Sequence, residues 1–188
     1  CHEGELFVSD PGGKRIVVVR TEDMAIVREI GLERPGHIAV DPHDGTLWVL
    51  LQRGKEDTAS TIVHLHRDGT RLPERIVDLV QAEDLAFDPV SGHLAVTENG
   101  PDQQVVFYDV RDGVRRVRTF GARGGVLGGE TPGLVGDDRF YGPRGLGFDA
   151  AGNLYIGLSG ATAYDGLELR SYDRDGKVRW RLYGLMFV

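Results

Sequence analysis

The chain holds a single cysteine, Cys1, among 188 residues. No internal disulfide and no zinc-finger arrangement can be built from it, and cysteine usage leaves the redox compartment undetermined. Long apolar runs are missing too. None approaches the roughly 18 to 20 residues that cross a bilayer as a helix, and no charged-then-apolar leader opens the chain. Positive charge is in deficit, with 22 lysines and arginines against 29 aspartates and glutamates and a formal net charge of −7. The basic residues are scattered, so the massed positive surface that a nucleic-acid backbone requires is absent and DNA or RNA binding is not expected. Nowhere does an apolar period of 3.6 persist, which removes amphipathic helices as the main element. What remains, 40% hydrophobic and 27% charged residues, is the composition of an ordinary soluble globular protein. The length suits one domain with a substantial core, or a slice of something larger.

What is present is repetition. The segments PGHIAVDPHDGTLWVLL (35–51) and AEDLAFDPVSGHLAVTE (82–98) share an apolar-x-apolar-Asp run, a glycine turn and a second apolar run, as does GPRGLGFDAAGNLYIGLSG (142–160). Such a pattern predicts β-hairpins. After each comes a polar loop and a third β-rich run: TIVHLH (61–66), QVVFYD (104–109) and LELRSY (167–172). Each third run meets an Arg-Asp-Gly turn, at Asp68-Gly69, Asp112-Gly113 and Asp175-Gly176, and a fourth run follows at 74–80, 115–120 and 178–183. Asp-Gly supplies the positive φ that a tight hairpin needs. The repeating unit is therefore four antiparallel strands, a to d, and short four-stranded units arranged radially make a β-propeller.

Spacing supports this all-β reading. Asp41 to Asp88 is 47 residues and Asp88 to Asp149 is 61, the surplus of 14 lying in an insertion at 121–141. The blades are expected at 4–31 (lacking strand a), 35–80, 82–120 and 142–183, with a new strand a beginning at 184–188. That makes about four blades' worth, read as an arc of a larger propeller. The alternative is a closed four-bladed ring in which 184–188 pairs with 5–9.

The segments PRGLGFDAAGNLYI (143–156) and LFVSDPGGKRIVVV (6–19) resemble NHL and YVTN repeats, and the broader resemblance is to the gluconolactonase-like (senescence marker protein) propeller superfamily. That resemblance covers nearly the whole chain. It implies function at the face formed by the d–a and b–c loops, around the mouth of a central channel, and an extracytoplasmic or secreted location. Members include lactonases, lyases, amidating enzymes and noncatalytic binding proteins, so the fold does not choose among them. In amidating-lyase relatives histidines at the channel mouth bind zinc. Here only His37 occupies such a place, Asp84 and Gly145 standing at the equivalent positions, so a three-histidine site is not supported within this chain, although further blades could supply ligands.

Transferred position by position, the d–a junctions bring His37, Glu83, Asp84 and Arg144 to the mouth. The insertion adds Glu130, Asp137, Asp138, Arg139 and Tyr141, and the b–c loops add Glu98, Asn99, Asp102 and Tyr164. The expected ligand contacts are Arg144, Glu83, Asp84, Asn99, Asp102 and Arg139, for a saccharide, peptide or protein. Should the chain be a metal-assisted lyase or lactone hydrolase acting on a carbohydrate-like substrate, His37, Glu98 and Tyr141 are the proton carriers. Asp84, Glu98 and Asn99 are then candidates for a divalent cation such as calcium, because Glu98 and Asn99 replace Leu51 and Gln52 or Leu158 and Ser159 of the neighbouring units.

Three further features have architectural readings. The glycines at 121–129 and 142–147 lack the following helix that a phosphate-binding loop requires. Asp41, Asp88 and Asp149 recur once per unit, as turn acceptors do. His64 and His66 alternate on one strand face and are expected at the surface.

Overall fold

The computed structural model describes residues 2–160 and 166–184. Within them are fifteen strands and one 3-10 turn, Gly125–Leu127, with no α-helix. No helix is long and apolar enough to cross a membrane. The chain divides into two compact units, Cys1–Leu79 and Val80–Val188.

The first unit holds two sheets. β1 (Glu5–Asp10), β2 (Arg15–Arg20) and β3 (Ile26–Gly31) form a three-stranded meander; β4 (Pro35–Val40), β5 (Leu47–Leu51), β6 (Ile62–Leu65) and β7 (Arg71–Ile76) form a four-stranded one. Alternation puts Ile16 and Val18 of β2 and Val49, Val63 and Leu65 of the second sheet into one buried cluster, with Phe7 and Ile38 against it. A charged clasp ties the turns: both Arg28 Nη atoms donate to Glu5 (2.8 and 2.7 Å), and Arg67 donates to the same carboxylate (2.7 Å). Hydrogen bonding from Arg28, joined by Arg67, holds the Glu5 carboxyl at about 2 against the opposing effect of its burial.

The second unit holds β8 (Ala82–Phe87), β9 (Leu94–Glu98), β10 (Gln104–Asp109) and β11 (Arg115–Phe120), then β12 (Pro143–Phe148), β13 (Leu154–Leu158), β14 (Leu167–Tyr172) and β15 (Val178–Gly184). Each sheet is an antiparallel meander in chain order. Phe107 and Val105 of one sheet and Leu154, Ile156 and Tyr172 of the other share a core. Of the segment 184–188 read as a new first strand, Gly184 ends β15 opposite Leu167, and residues 185–188, with the ring pairing proposed for them, lie outside the described ones.

The recurring aspartates hold the hairpin turns. Asp41, Asp88 and Asp149 each accept the main-chain N–H two residues on, from His43 (2.8 Å), Val90 (3.0 Å) and Ala151 (3.0 Å). Two local readings are corrected. The fourth run of the second sheet is Arg71–Ile76, three residues earlier than 74–80. Pro73 does not delay it, because the β6–β7 register slips between Val63 and Leu65, and a proline is tolerated at such a bulge on an outermost strand. His64 is buried rather than at the surface, its ring stacked on Trp48 at 4.3 Å and its Nε2 2.8 Å from Thr46 Oγ1. His66 lies past the end of β6 and is exposed.

Candidate functional site

The first strand of each four-stranded sheet begins with a bulge. Pairing jumps from Pro35↔Leu51 to Ile38↔Val49, from Ala82↔Glu98 to Leu85↔Val96, and from Pro143↔Leu158 to Gly145↔Gly157, one extra residue each time. His37, Glu83, Asp84 and Arg144 all fall in these bulges. Bulges re-aim side chains, and they concentrate beside functional sites.

In the second unit the bulged residues join a polar network at the loop end of β8–β15. Arg144 Nε donates to Ser159 Oγ (2.6 Å), and its Nη1 lies 3.6 Å from Glu83 Oε2. Glu83 Oε1 accepts from Gln81 Nε2 (2.6 Å) and from Asn99 Nδ2 (3.3 Å). Gln103 completes the chain: its Nε2 faces Asn99 O, Asn99 Oδ1 and Gly100 O at 2.9 to 3.0 Å, and its Oε1 accepts the Gly142 N–H (2.8 Å). Gln103 adopts φ 50, a left-handed conformation that costs a non-glycine residue on the order of 1 to 2 kcal/mol. Gly142, at φ +68, has no such choice, since a Cβ there would lie 2.1 Å from the Gly160 carbonyl oxygen. Sequence reasoning missed Gln103 and Ser159. Their only signal was position, Gln103 four residues after Asn99 and Ser159 next to Gly160.

The carboxylates expected to hold a cation do other work. Glu98 is 3% exposed, and it accepts main-chain N–H groups from Gln81 (3.0 Å) and Gly100 (2.8 Å). Asp84 Oδ2 accepts the Leu146 N–H (2.9 Å), stapling β8 to β12, while Oδ1 accepts that of Leu85 (2.8 Å). Among the described residues no three His, Cys, Asp or Glu side chains gather as a metal site. Main-chain amides thus take up oxygens of both Glu98 and Asp84, while Asn99 Nδ2 donates to Glu83.

Burial pushes the Glu98 carboxyl above its ordinary 4.5, against the lowering effect of the Gln81 and Gly100 amides. A raised pKa means that the folded protein binds this proton more tightly than the unfolded chain does. The resulting stability is fully present below 4.5 and is lost as pH rises through the raised value. Glu98→Gln, neutral throughout and still an acceptor, is expected to flatten that step in a series of urea midpoints against pH. An unchanged profile refutes the assignment.

The insertion is a closed loop. Ala122 N–H donates to Asp138 O (2.7 Å) and Val126 N–H to Phe140 O (2.9 Å), so its ends meet. Arg139 Nη1 binds the carbonyls of Gly125 (3.2 Å) and Gly128 (3.0 Å), which fixes Arg139 as a brace of the glycine turn. The glycines thus offer carbonyls to a cation, the opposite of a phosphate cradle. Arg170, which sequence reasoning also missed, anchors the loop from β14. Its Nε and Nη2 donate to Glu168 (2.7 and 2.8 Å), and its Nη1 reaches the carbonyls of Gly136, Asp137 and Arg139 (2.9 to 3.2 Å).

The remaining expected residues are dispersed. Asp102 accepts from the exposed Arg123 (2.9 Å). The Tyr141 carbonyl accepts the Gly160 N–H (3.1 Å). Glu130 and Asp138 have exposed side chains, and Asp137 pairs with Arg181. His37 is exposed on β4 of the first unit, and Tyr164 lies outside the described residues.

No protein-family model matches the chain, and no curated protein matches it in sequence. Solved structures do match. The β-propeller domain of Cps50 (Swd1) from Myceliophteria thermophila is 12% identical over 100% of this chain and 59% of its own, with a TM-score of 0.55. The four sheets are blades of a β-propeller. Blade 3 is β8–β11 and blade 4 is β12–β15. A gluconolactonase from Xanthomonas campestris is 20% identical, with 96% of this chain and 58% of that one covered and a TM-score of 0.61. Hydrazine synthase of Kuenenia stuttgartiensis is 18% identical, with 96% and 46% covered and a TM-score of 0.63. The chain thus spans 46 to 59% of the length of these solved chains. At such identities the likeness establishes the fold and leaves the chemistry to the site.

Proposed function

We propose that these blades belong to a larger propeller, and that they bind a saccharide, peptide or protein ligand through its carboxylate at the loop end of blades 3 and 4. One observation carries the reading: Arg144 is held by Ser159 and faces Glu83, yet its side chain stays 53% exposed. A guanidinium fixed in direction and open to solvent suits two-point recognition of a carboxylate, and Glu83 and Asn99 are placed to take hydroxyl or amide groups beside it. A metal-assisted lyase or lactone hydrolase is less well supported. The carboxylates it would use, Glu98 and Asp84, are engaged by main-chain amides.

Arg144→Ala is expected to weaken binding of uronic acids or acidic peptides about tenfold or more, with the thermal midpoint unchanged, because it removes a charged contact and no core packing. A binding panel of both ligand types against wild type and variant tests this. Equal binding by the two proteins, or no binding by either, overturns the reading.

A further inference from the structure

A cavity lies between blades 3 and 4 at their other end, where the a–b and c–d turns lie. It measures about 240 Å3, below the size of most drug-binding pockets. Its floor and one side are aromatic, from Phe120, Phe148 and Tyr172, and its rim carries Arg118, Arg174 and Asp88.

The charges on this rim are unequally committed. Asp88 is buried, and it is occupied by the Val90 N–H (3.0 Å) and the Ser91 hydroxyl (2.6 Å). Asp173, also on the rim, accepts the N–H groups of Asp175 (3.0 Å) and Lys177 (2.8 Å). Asp88 is thus engaged by its own turn through both oxygens and Asp173 by its own turn through Oδ1. The two arginines are not so engaged. Among the described residues neither Arg118 nor Arg174 makes an ion pair or a side-chain hydrogen bond. Arg118 is nonetheless held in place, its guanidinium carbon 3.6 Å from the centre of the Phe107 ring. A guanidinium lying over an aromatic face can still offer N–H donors to an acceptor in the guanidinium plane.

We propose that this cavity is a binding site for a small carboxylic acid with an apolar or ring-shaped body. The carboxylate bridges Arg118 and Arg174, and the body rests on Phe120 and Phe148. Arginine forks accept carboxylate and phosphate alike, so the neighbouring charge selects between them. Asp88, the carboxylate whose charge reaches Arg118, opposes a dianion more strongly than a monoanion. The apolar floor favours a body that leaves water, which an inorganic anion lacks. This site is separate from the Arg144 network: the a–b and c–d turns and the b–c and d–a loops lie at opposite ends of an antiparallel meander.

The test is calorimetric and NMR titration of the whole chain with sodium benzoate, phenylacetate and mandelate. Benzamide serves as the uncharged counterpart and inorganic phosphate as the bare anion. At least one carboxylate is expected to bind saturably at one site per chain, with benzamide about tenfold weaker or more. Arg118→Gln and Arg174→Gln should each weaken that carboxylate by a similar factor. Arg174 is an exposed turn residue, so its variant keeps the test valid should Arg118→Gln fail to fold. Arg144→Ala should leave the binding unchanged. The proposal is overturned if none of the three acids binds by about 10 mM, if Arg174→Gln binds as wild type does, or if phosphate binds as tightly as the acids. Loss of binding in Arg144→Ala instead moves the carboxylate to the loop end: it defeats this proposal and supports the function proposed above.

Discussion

Arg170→Met is expected to cost about 3 to 5 kcal/mol of stability, the usual consequence of removing one partner from a buried ion pair. Arg170 is 3% exposed and is the only bidentate cation on Glu168 among the described residues. Methionine fills much of the same volume, so the loss is electrostatic: Glu168 keeps its charge without the guanidinium, and the carbonyls of Gly136, Asp137 and Arg139 lose a shared donor. Urea denaturation gives the magnitude. Adding Glu168→Gln should recover part of it, since the charge that would be left with Arg181 alone, 3.8 Å away, is then gone. Hydrogen exchange should rise first across 121–141, the segment that Arg170 anchors. A loss below about 1 kcal/mol, the range of an exposed pair, refutes the assignment.

Phe140→Ala should be comparably damaging, at about 3 to 5 kcal/mol. The ring is fully buried although it belongs to the insertion, and it packs on Phe120 (5.7 Å between centres) and Tyr172 (6.2 Å). Those two rings meet edge to face at 4.9 Å. Truncation leaves a cavity between a loop and two blades, and the Gly121 turn, which packs directly on Phe140, loses its support. Phe140→Leu retains most of the apolar volume and should cost clearly less. The comparison by thermal unfolding separates lost packing from lost aromatic geometry. Equal effects from the two substitutions would point to the rings rather than the volume.

The architecture was legible because the same local pattern occurs three times. Alternating apolar runs bracket an Asp-containing turn, and each turn fixes the hairpin independently of its neighbours, so Asp41, Asp88 and Asp149 could be assigned from sequence alone. The candidate site was less legible, for reasons of distance. Glu98 differed from its counterparts in the other units and therefore stood out, but its partners are main-chain amides that no sequence pattern marks. Arg170 carried a signal that was passed over: facing Ile156, it occupies the register position that holds Val63 opposite Val49 and Val106 opposite Val96. An arginine at an apolar position of a repeat has to find buried partners, and here they are Glu168 and carbonyls of an insertion 31 to 34 residues upstream. His64 misled for the converse reason. Strand alternation gave its face correctly but not the Trp48 ring that covers it.

The bulge at the start of strands β4, β8 and β12 has one more consequence. An extra residue reverses the in–out parity of a strand, so positions before and after it are no longer bound to the same alternation. Residues deeper in each strand must remain apolar on schedule to keep neighbouring blades in contact. Gly36-His37, Glu83-Asp84 and Arg144 stand outside that schedule. The same scaffold can therefore exchange a histidine for an acid or an arginine there without shifting the frame of the sheet behind it, so the chemistry of these positions can drift while the packing code stays fixed.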